Sequence, residues 1–318
     1  MNNSGPGFFT VASSTLHMML SSATPVALAA LGGLLTEHAG IMNIGMDGMI
    51  LMGAFVAAAI SAALASAMLG VLAAILFGVI VGLFFALFVV KLRSDEFIIG
   101  CALNTLALGL TGYFARAWFG TQGIRDAAHF AKLSIPLVKD VPFVGDVFSG
   151  QSVFVYVTWL LVAVMWLFVY RTPTGFWIRA AGESPETLRT AGKNPERMKW
   201  VASILCGVFC GLAGAYLSLG NLNGTFVEGM SDSRGYIAFA CVIFSAANPA
   251  KAYLAALMFG FFDALGDQLQ GVIRSNLPYA YLMKAIPYVI TIVMMVYVVV
   301  RAQRKREHTA KQQLKKLN

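Results

Sequence analysis

The stretch Ala67-Met-Leu-Gly-Val-Leu-Ala-Ala-Ile-Leu-Phe-Gly-Val-Ile-Val-Gly-Leu-Phe-Phe-Ala-Leu-Phe-Val-Val90 decides the fold class. It holds no charged residue and no proline. Its 24 residues make about 36 Å of helix, enough to cross a hydrocarbon core of about 30 Å. Four more uncharged runs resemble it: 97–115, 153–169, 200–220 and 285–300. Two weaker apolar units precede it, at 15–36 and 41–65. A long apolar stretch after Gly235 is broken by Asn248-Pro249, where a proline after Asn favours a turn. It reads as two helices, 236–247 and 250–268. The pattern predicts an all-α polytopic membrane protein of about nine transmembrane segments, some of them broken.

Composition agrees. Residues of the set AVILMFWYC make up 58% of the 318-residue chain and DEKR only 12%, against about 25% charge in soluble domains. The mean hydropathy is +0.73. A soluble enzyme, a disordered chain and a disulfide scaffold are excluded. Long unbroken runs, rather than short alternating ones, argue against a barrel. Cys101, Cys206, Cys210 and Cys241 all lie in apolar stretches without His or carboxylate neighbours, so they read as small buried side chains. The first charge is Glu37, and no basic segment precedes an apolar one as in a cleavable signal peptide.

Basic residues orient the chain. The tail 301–318 carries seven Lys/Arg and one acid, and 171–199 carries six Lys/Arg and three acids. Both are expected in the cytoplasm. The segment 119–151 has three of each sign and is expected outside. The C-terminus then lies inside and the N-terminus outside, with residues 1–300 forming one transmembrane domain.

The loop 171–199 has the grammar of helices. Ser184 can cap a helix with Pro185 at its first position and Glu186 in its first turn, and Gly192 suits a left-handed stop. A short helix over 185–191 is predicted. Asn194-Pro195-Glu196 repeats the start signal. The segment is either an ordered loop or a docking knob for a cytosolic partner, and its chemistry fits both. No phosphate-binding G-x-x-x-x-G-K-[ST] run occurs, so energy for any pumping comes from a partner or an ion gradient.

Polar groups within spans are costly and draw attention. Gly40-Ile-Met-Asn-Ile-Gly-Met-Asp-Gly-Met49 is weakened as a helix by its glycines. Asn43 and Asp47 share a face if it is helical. They either line a substrate path at a helix break or cap that break. Asn104, inside 97–115, faces protein or a wet path. Gly78-x-x-x-Gly82 and Gly207-x-x-x-Gly211 read as packing faces. Asp263 and Asp267 read as a solvated helix end. No nucleophile–base or metal set appears, which argues against an enzyme.

Several ordered motifs resemble the permease subunits of bacterial nucleoside importers of the ATP-binding-cassette (ABC) class, within the ribose and branched-chain amino acid permease family. They are residues 28–55, Ala102–Thr111, Thr172-Pro-Thr-Gly175, Arg179-Ala-Ala-Gly-Glu183, Ala191-Gly192, Arg234–Ala238, Val242-Ile-Phe244, Asn248-Pro249 and Asp263-Ala-Leu265. The family usually has Glu where Asp47 stands, and Gly where Ser233 and Ser245 stand. The resemblance implies the transmembrane subunit of an importer in the bacterial plasma (inner) membrane, moving nucleosides inward. Ribose-like sugars or amino acids are the alternative cargo. An ion-coupled carrier using Asp47 or Asp263 is the remaining class. The implied partners are a cytosolic ATPase, a second and longer permease, and an external solute-binding lipoprotein. This chain would bind no cofactor, and ATP and Mg would sit on the ATPases. The implied coupling residues are Arg179, Gly182, Glu183, Glu186, Ala191 and Gly192. The implied path residues are Asn43, Asp47 and Asn104.

Overall fold

The computed structural model describes residues 8–120, 123–125, 127–133 and 144–272, together with Val289 and Val293. Its elements are α1 (Phe8–His38), α2 (Met46–Leu64), α3 (Ala67–Ala86, continued as a π-turn to Lys91), α4 (Glu96–Phe119), α5 (Val144–Phe148), α6 (Val153–Arg171), α7 (Pro173–Glu183), α8 (Pro185–Thr190), α9 (Pro195–Ala215, continued as a π-turn to Asn221), α10 (Arg234–Ser245) and α11 (Pro249–Val272). Only two isolated β-bridges, Ile124 with Phe226 and Leu133 with Gln151, stand outside helices among the described residues.

Six of the described helices are long and apolar enough to cross a membrane: those within 12–38, 46–64, 67–91, 96–119, 153–171 and 195–221. Helix α10 has 12 residues, about 18 Å, and is too short for a full crossing. The expected segment 285–300, apart from Val289 and Val293, and the basic tail 301–318 lie outside the described residues. So does much of the expected external loop 119–151.

Helix α9 is the centre of packing, and its small residues are the reason. Ser203, Cys206, Gly207, Cys210, Gly211 and Gly214 are all buried on it. Gly207 meets the backbone of Gly78 on α3, and Gly82 meets Ser203. The two G-x-x-x-G motifs therefore pack on each other, backbone to backbone, as small residues permit within a bilayer. Gly53 of α2 approaches Gly211, where an added Cβ would lie 2.8 Å from its Cα. On α1, Gly32 abuts Phe209 and Cys206.

Pro25 sits inside α1 and cannot donate to the carbonyl of Ser21. The Tyr216 hydroxyl donates to that carbonyl at 2.9 Å. The orphaned acceptor is thus satisfied from α9, and the ring is fully buried in doing so.

The chain divides into two compact units, 1–261 and 262–318. The first holds every element discussed below. Of the second, 262–272 are described as the latter part of α11, carrying Asp263 and Asp267.

Candidate functional site

Helix α1 ends at His38 and α2 begins at Met46. The expected span 41–65 is therefore preceded by a break, with Gly40 at φ +72°. Asn43 lies in the break and Asp47 in the first turn of α2, so the two do not share a helical face. A helix start leaves several backbone N–H groups without internal partners. Here side chains from elsewhere supply them. Asn43 Oδ1 accepts from Gly45 N at 3.0 Å. Asn104 Oδ1, from α4, accepts from Gly48 N at 2.7 Å. Asn104 Nδ2 donates to the Ile44 carbonyl at 3.1 Å and to the Tyr236 hydroxyl at 2.8 Å.

Asp47 does the same for a second helix start. Its Oδ1 accepts from Gly235 N at 3.0 Å and its Oδ2 from Ser231 Oγ at 3.0 Å. Gly235 is in the first turn of α10 and lies against the Asp47 backbone, so closely that any Cβ there would collide with it. A negative charge between two helix starts is placed where both macrodipoles favour it. Ser233, where the resembled family has glycine, holds φ +62° at the N-cap of α10, a left-handed backbone that non-glycine residues adopt at a cost.

The three polar candidates thus meet around one junction, but their surroundings differ. Asn43 is only 2% exposed, and its amide donates to the sulfurs of Cys206 and Met49. It sits in the core of the chain. Asp47 and Asn104 are partly buried, and Tyr236 is 43% exposed. In the sequence Gly235 and Tyr236 stand out only as part of the family-like motif Arg234–Ala238, and Ser231 does not stand out at all. The available signal was the Ser231-to-Gly235 turn preceding a short apolar helix.

At the expected cytoplasmic end, the loop 171–199 is helical over most of its length. Helix α8 spans Pro185–Thr190, and Gly192 takes φ +77° as a stop. Asn194 accepts from Glu196 N at 2.9 Å and starts α9. Ser184 stands at the N-cap of α8, but its hydroxyl bonds Thr187 Oγ1 at 2.7 Å rather than a backbone N–H. Helix α7 was not anticipated. Its signal is the same grammar one step earlier, with Thr172 Oγ1 accepting from Gly175 N at 3.1 Å before Pro173.

The six coupling candidates fall into two groups. Gly182 packs on the backbone of His38 and Gly40. The Arg179 guanidinium lies over the rings of Tyr170 and Phe176, at 5.3 and 5.9 Å. These two hold α7 against the transmembrane body. Glu183, Glu186, Ala191 and Gly192 are exposed on the knob formed by α8 and its flanks. That knob is held by one buried side chain, Leu188, and by Lys193 Nζ stacked on Trp177 at 4.3 Å. A cleft of about 490 Å3 beneath it is lined by Val90, Arg93, Glu96, Arg189, Glu196 and Lys199 among others.

A family model described as branched-chain amino acid transport system / permease component matches residues 15–299. A protein provisionally named a glucose ABC transporter permease in Haloferax volcanii is 32% identical, covering 93% of this chain and 94% of its own. A nucleoside ABC transporter permease of Lactococcus lactis is 30% identical over 87% of this chain and 89% of its own. A guanosine ABC transporter permease of Bacillus subtilis is 32% identical over 85% and 87%. No solved structure matches.

Proposed function

The chain belongs to the family of branched-chain amino acid transport system permease components, and on that premise we propose that it carries nucleosides into the cytoplasm. It is a multi-pass membrane protein and an ABC permease subunit. The work is driven by ATP, with Mg, on a partner ATPase. The reading is supported first by two relatives whose names carry nucleoside or guanosine. The single structural observation that carries the coupling is the exposed knob of α8, docked on the body by α7.

A short helix between two membrane-linked helices transmits displacement because it has no internal slack. In this reading Glu183, Glu186, Ala191 and Gly192 meet the ATPase. Arg179 and Gly182 pass its motion to the 38–40 turn at the end of α1. A second permease completes the pathway, and an external solute-binding lipoprotein delivers the solute. The orientation follows the basic residues: the C-terminus inside, nine segments, and α10 a half-helix that starts within the membrane at Asp47. A discontinuous helix of this kind is how transporters present polar backbone at membrane depth. Asn104 and Tyr236 face the path, while Asn43 and Asp47 fix the two helix starts behind them.

The test is uptake of labelled guanosine, uridine, ribose, glucose and leucine by cells with and without the chain. Loss of nucleoside uptake alone is the expected result. A sugar is the second reading, favoured by the Haloferax relative's name, and loss of glucose or ribose uptake alone would establish it instead. Glu186→Ala, or a proline in place of Leu188, is expected to abolish ATP-coupled uptake with the protein still in the membrane. Unchanged uptake in both would remove α8 from the coupling path.

A further inference from the structure

Helix α4 buries one side, through Gly100, Leu103, Ala107, Thr111 and Ala115. Along one flank of that side run Cys101, Thr105, Leu108, Gly112 and Arg116, spaced three or four apart and so on a single edge, which is exposed except at Gly112. A groove of about 750 Å3 lies along it, lined by Thr105, Leu108, Gly112, Tyr113, Arg116 and Glu228 among others. That size is within the range of about 300–1,000 Å3 of small-molecule sites. From Thr105 to Arg116 the groove runs about 16 Å along the helix axis, into the membrane rather than across its surface. Its charged pair stands at the last turn of α4, and Thr105 is the polar lining residue further in.

The outer end of the groove is built around one carboxylate. Glu228 is folded down on Gly112, where an added Cβ would lie 2.7 Å from its Oε1. Its Oε2 accepts from Arg116 Nη2, one turn further along α4. A glycine in mid-helix costs about 1 kcal/mol, and an ion pair this exposed returns little stability. Both fix the position of a carboxylate on the groove wall. Beyond the residues that line the groove, Tyr236 is held through its hydroxyl by Asn104 and is itself 43% exposed.

We infer that this groove is the outer half of the solute path, and that Glu228 receives the vicinal sugar hydroxyls of a ribonucleoside. The inference rests on the nucleoside-importer reading above. A carboxylate accepts two neighbouring O–H donors at once. Arg116 beside it disfavours a cationic solute, and Glu228 itself disfavours an anion. A neutral diol satisfies both, and the exposed ring of Tyr113 on the groove wall offers an apolar face to a base. A surface for docking an external protein would not continue about three turns down α4, so the solute is the occupant.

The test compares guanosine, 2′-deoxyguanosine and 3′-deoxyguanosine at saturating concentration, in cells carrying the chain with its own partner subunits. Wild type is expected to favour the ribonucleoside. Glu228→Gln is expected to lower ribonucleoside uptake by about tenfold or more, the loss of one charged hydrogen bond, and to bring the ribo/deoxy ratio close to one. Gly112→Ala, which keeps the carboxylate but pushes it off α4, should shift the ratio in the same direction. Uptake in the wild-type ratio for both variants, even at lowered rate, would overturn the site and reduce Arg116–Glu228 to a staple of the 222–233 segment. So would a wild type that takes ribo- and deoxynucleosides equally. A wild type that takes up no nucleoside overturns the importer reading, and this site with it.

Discussion

Helices α3 and α4 are consecutive, and each leaves much of its surface outside the core of the chain. Their outward faces are unlike. Helix α3 turns Met68, Leu69, Leu72, Leu76, Ile80 and Leu83 outward, and all are side chains at home among acyl tails. Helix α4 turns out Leu106 and Leu110 on one side, and on the other sets Cys101, Thr105 and Arg116 among the exposed Ile98 and Leu108. Exposure alone does not separate a lipid face from a wet or partnered one. The chemistry of the exposed residues does, because a bilayer accepts the first set and penalises the second.

The largest effect expected on this contrast lies on the inner side of α3. Gly78→Leu drives a side chain into the Gly207 backbone, which no rotamer relieves. It should remove folded permease from the membrane, while Leu76→Ala on the outer side of the same helix should leave its level unchanged. Quantifying detergent-solubilised, monodisperse protein separates the two.

The second prediction tests the faces directly. Leu76→Arg on α3 should cost about 2.5–3.5 kcal/mol of insertion and lower the membrane level. Thr105→Arg on α4 should reach the membrane at wild-type level and change uptake instead. Equal losses for both would make the α4 edge a lipid face.

Asn104 stands between the faces. Asn104→Leu strips partners from Gly48 N–H and the Ile44 carbonyl, each costing about 1–3 kcal/mol if left buried and unpaired. A lowered melting temperature in detergent, together with reduced uptake, is the expected pair of results. Normal stability and normal kinetics would sink the junction as described. The smallest effect is at the knob. Leu188→Ala should cost about 2 kcal/mol, the low end for a buried leucine. ATP-coupled uptake should fall further than protein level, because only α8 is loosened.

Much of this fold is legible in the sequence because lipid imposes local rules. Uncharged runs of suitable length give α3, α4, α6 and α9. The Ser184-Pro185 and Asn194-Pro195 pairs give two helix starts. The two G-x-x-x-G motifs show which faces pack, though not that they pack on each other. Helix α7 obeys the same grammar, but its start is masked in the sequence because Thr172-Pro173 follows an apolar helix with no intervening gap. The site was less legible. The polarity of Asn104 marks it as unusual, but its bond to Gly48, 56 residues earlier, depends on packing that no local pattern states. Asn43 drew attention for the same reason and proved to be a core residue. Arg116 and Glu228 are 112 residues apart, and reading charges only as orientation signals leaves their pairing out.

The shared carboxylate at Asp47 has a mechanical consequence. Two helix starts that hold the same side chain have one pivot between them instead of two. Parting α2 from α10 would break two hydrogen bonds at once and leave the carboxylate without them. The inexpensive motions are those that keep the joint closed, so the pair moves as a bell-crank.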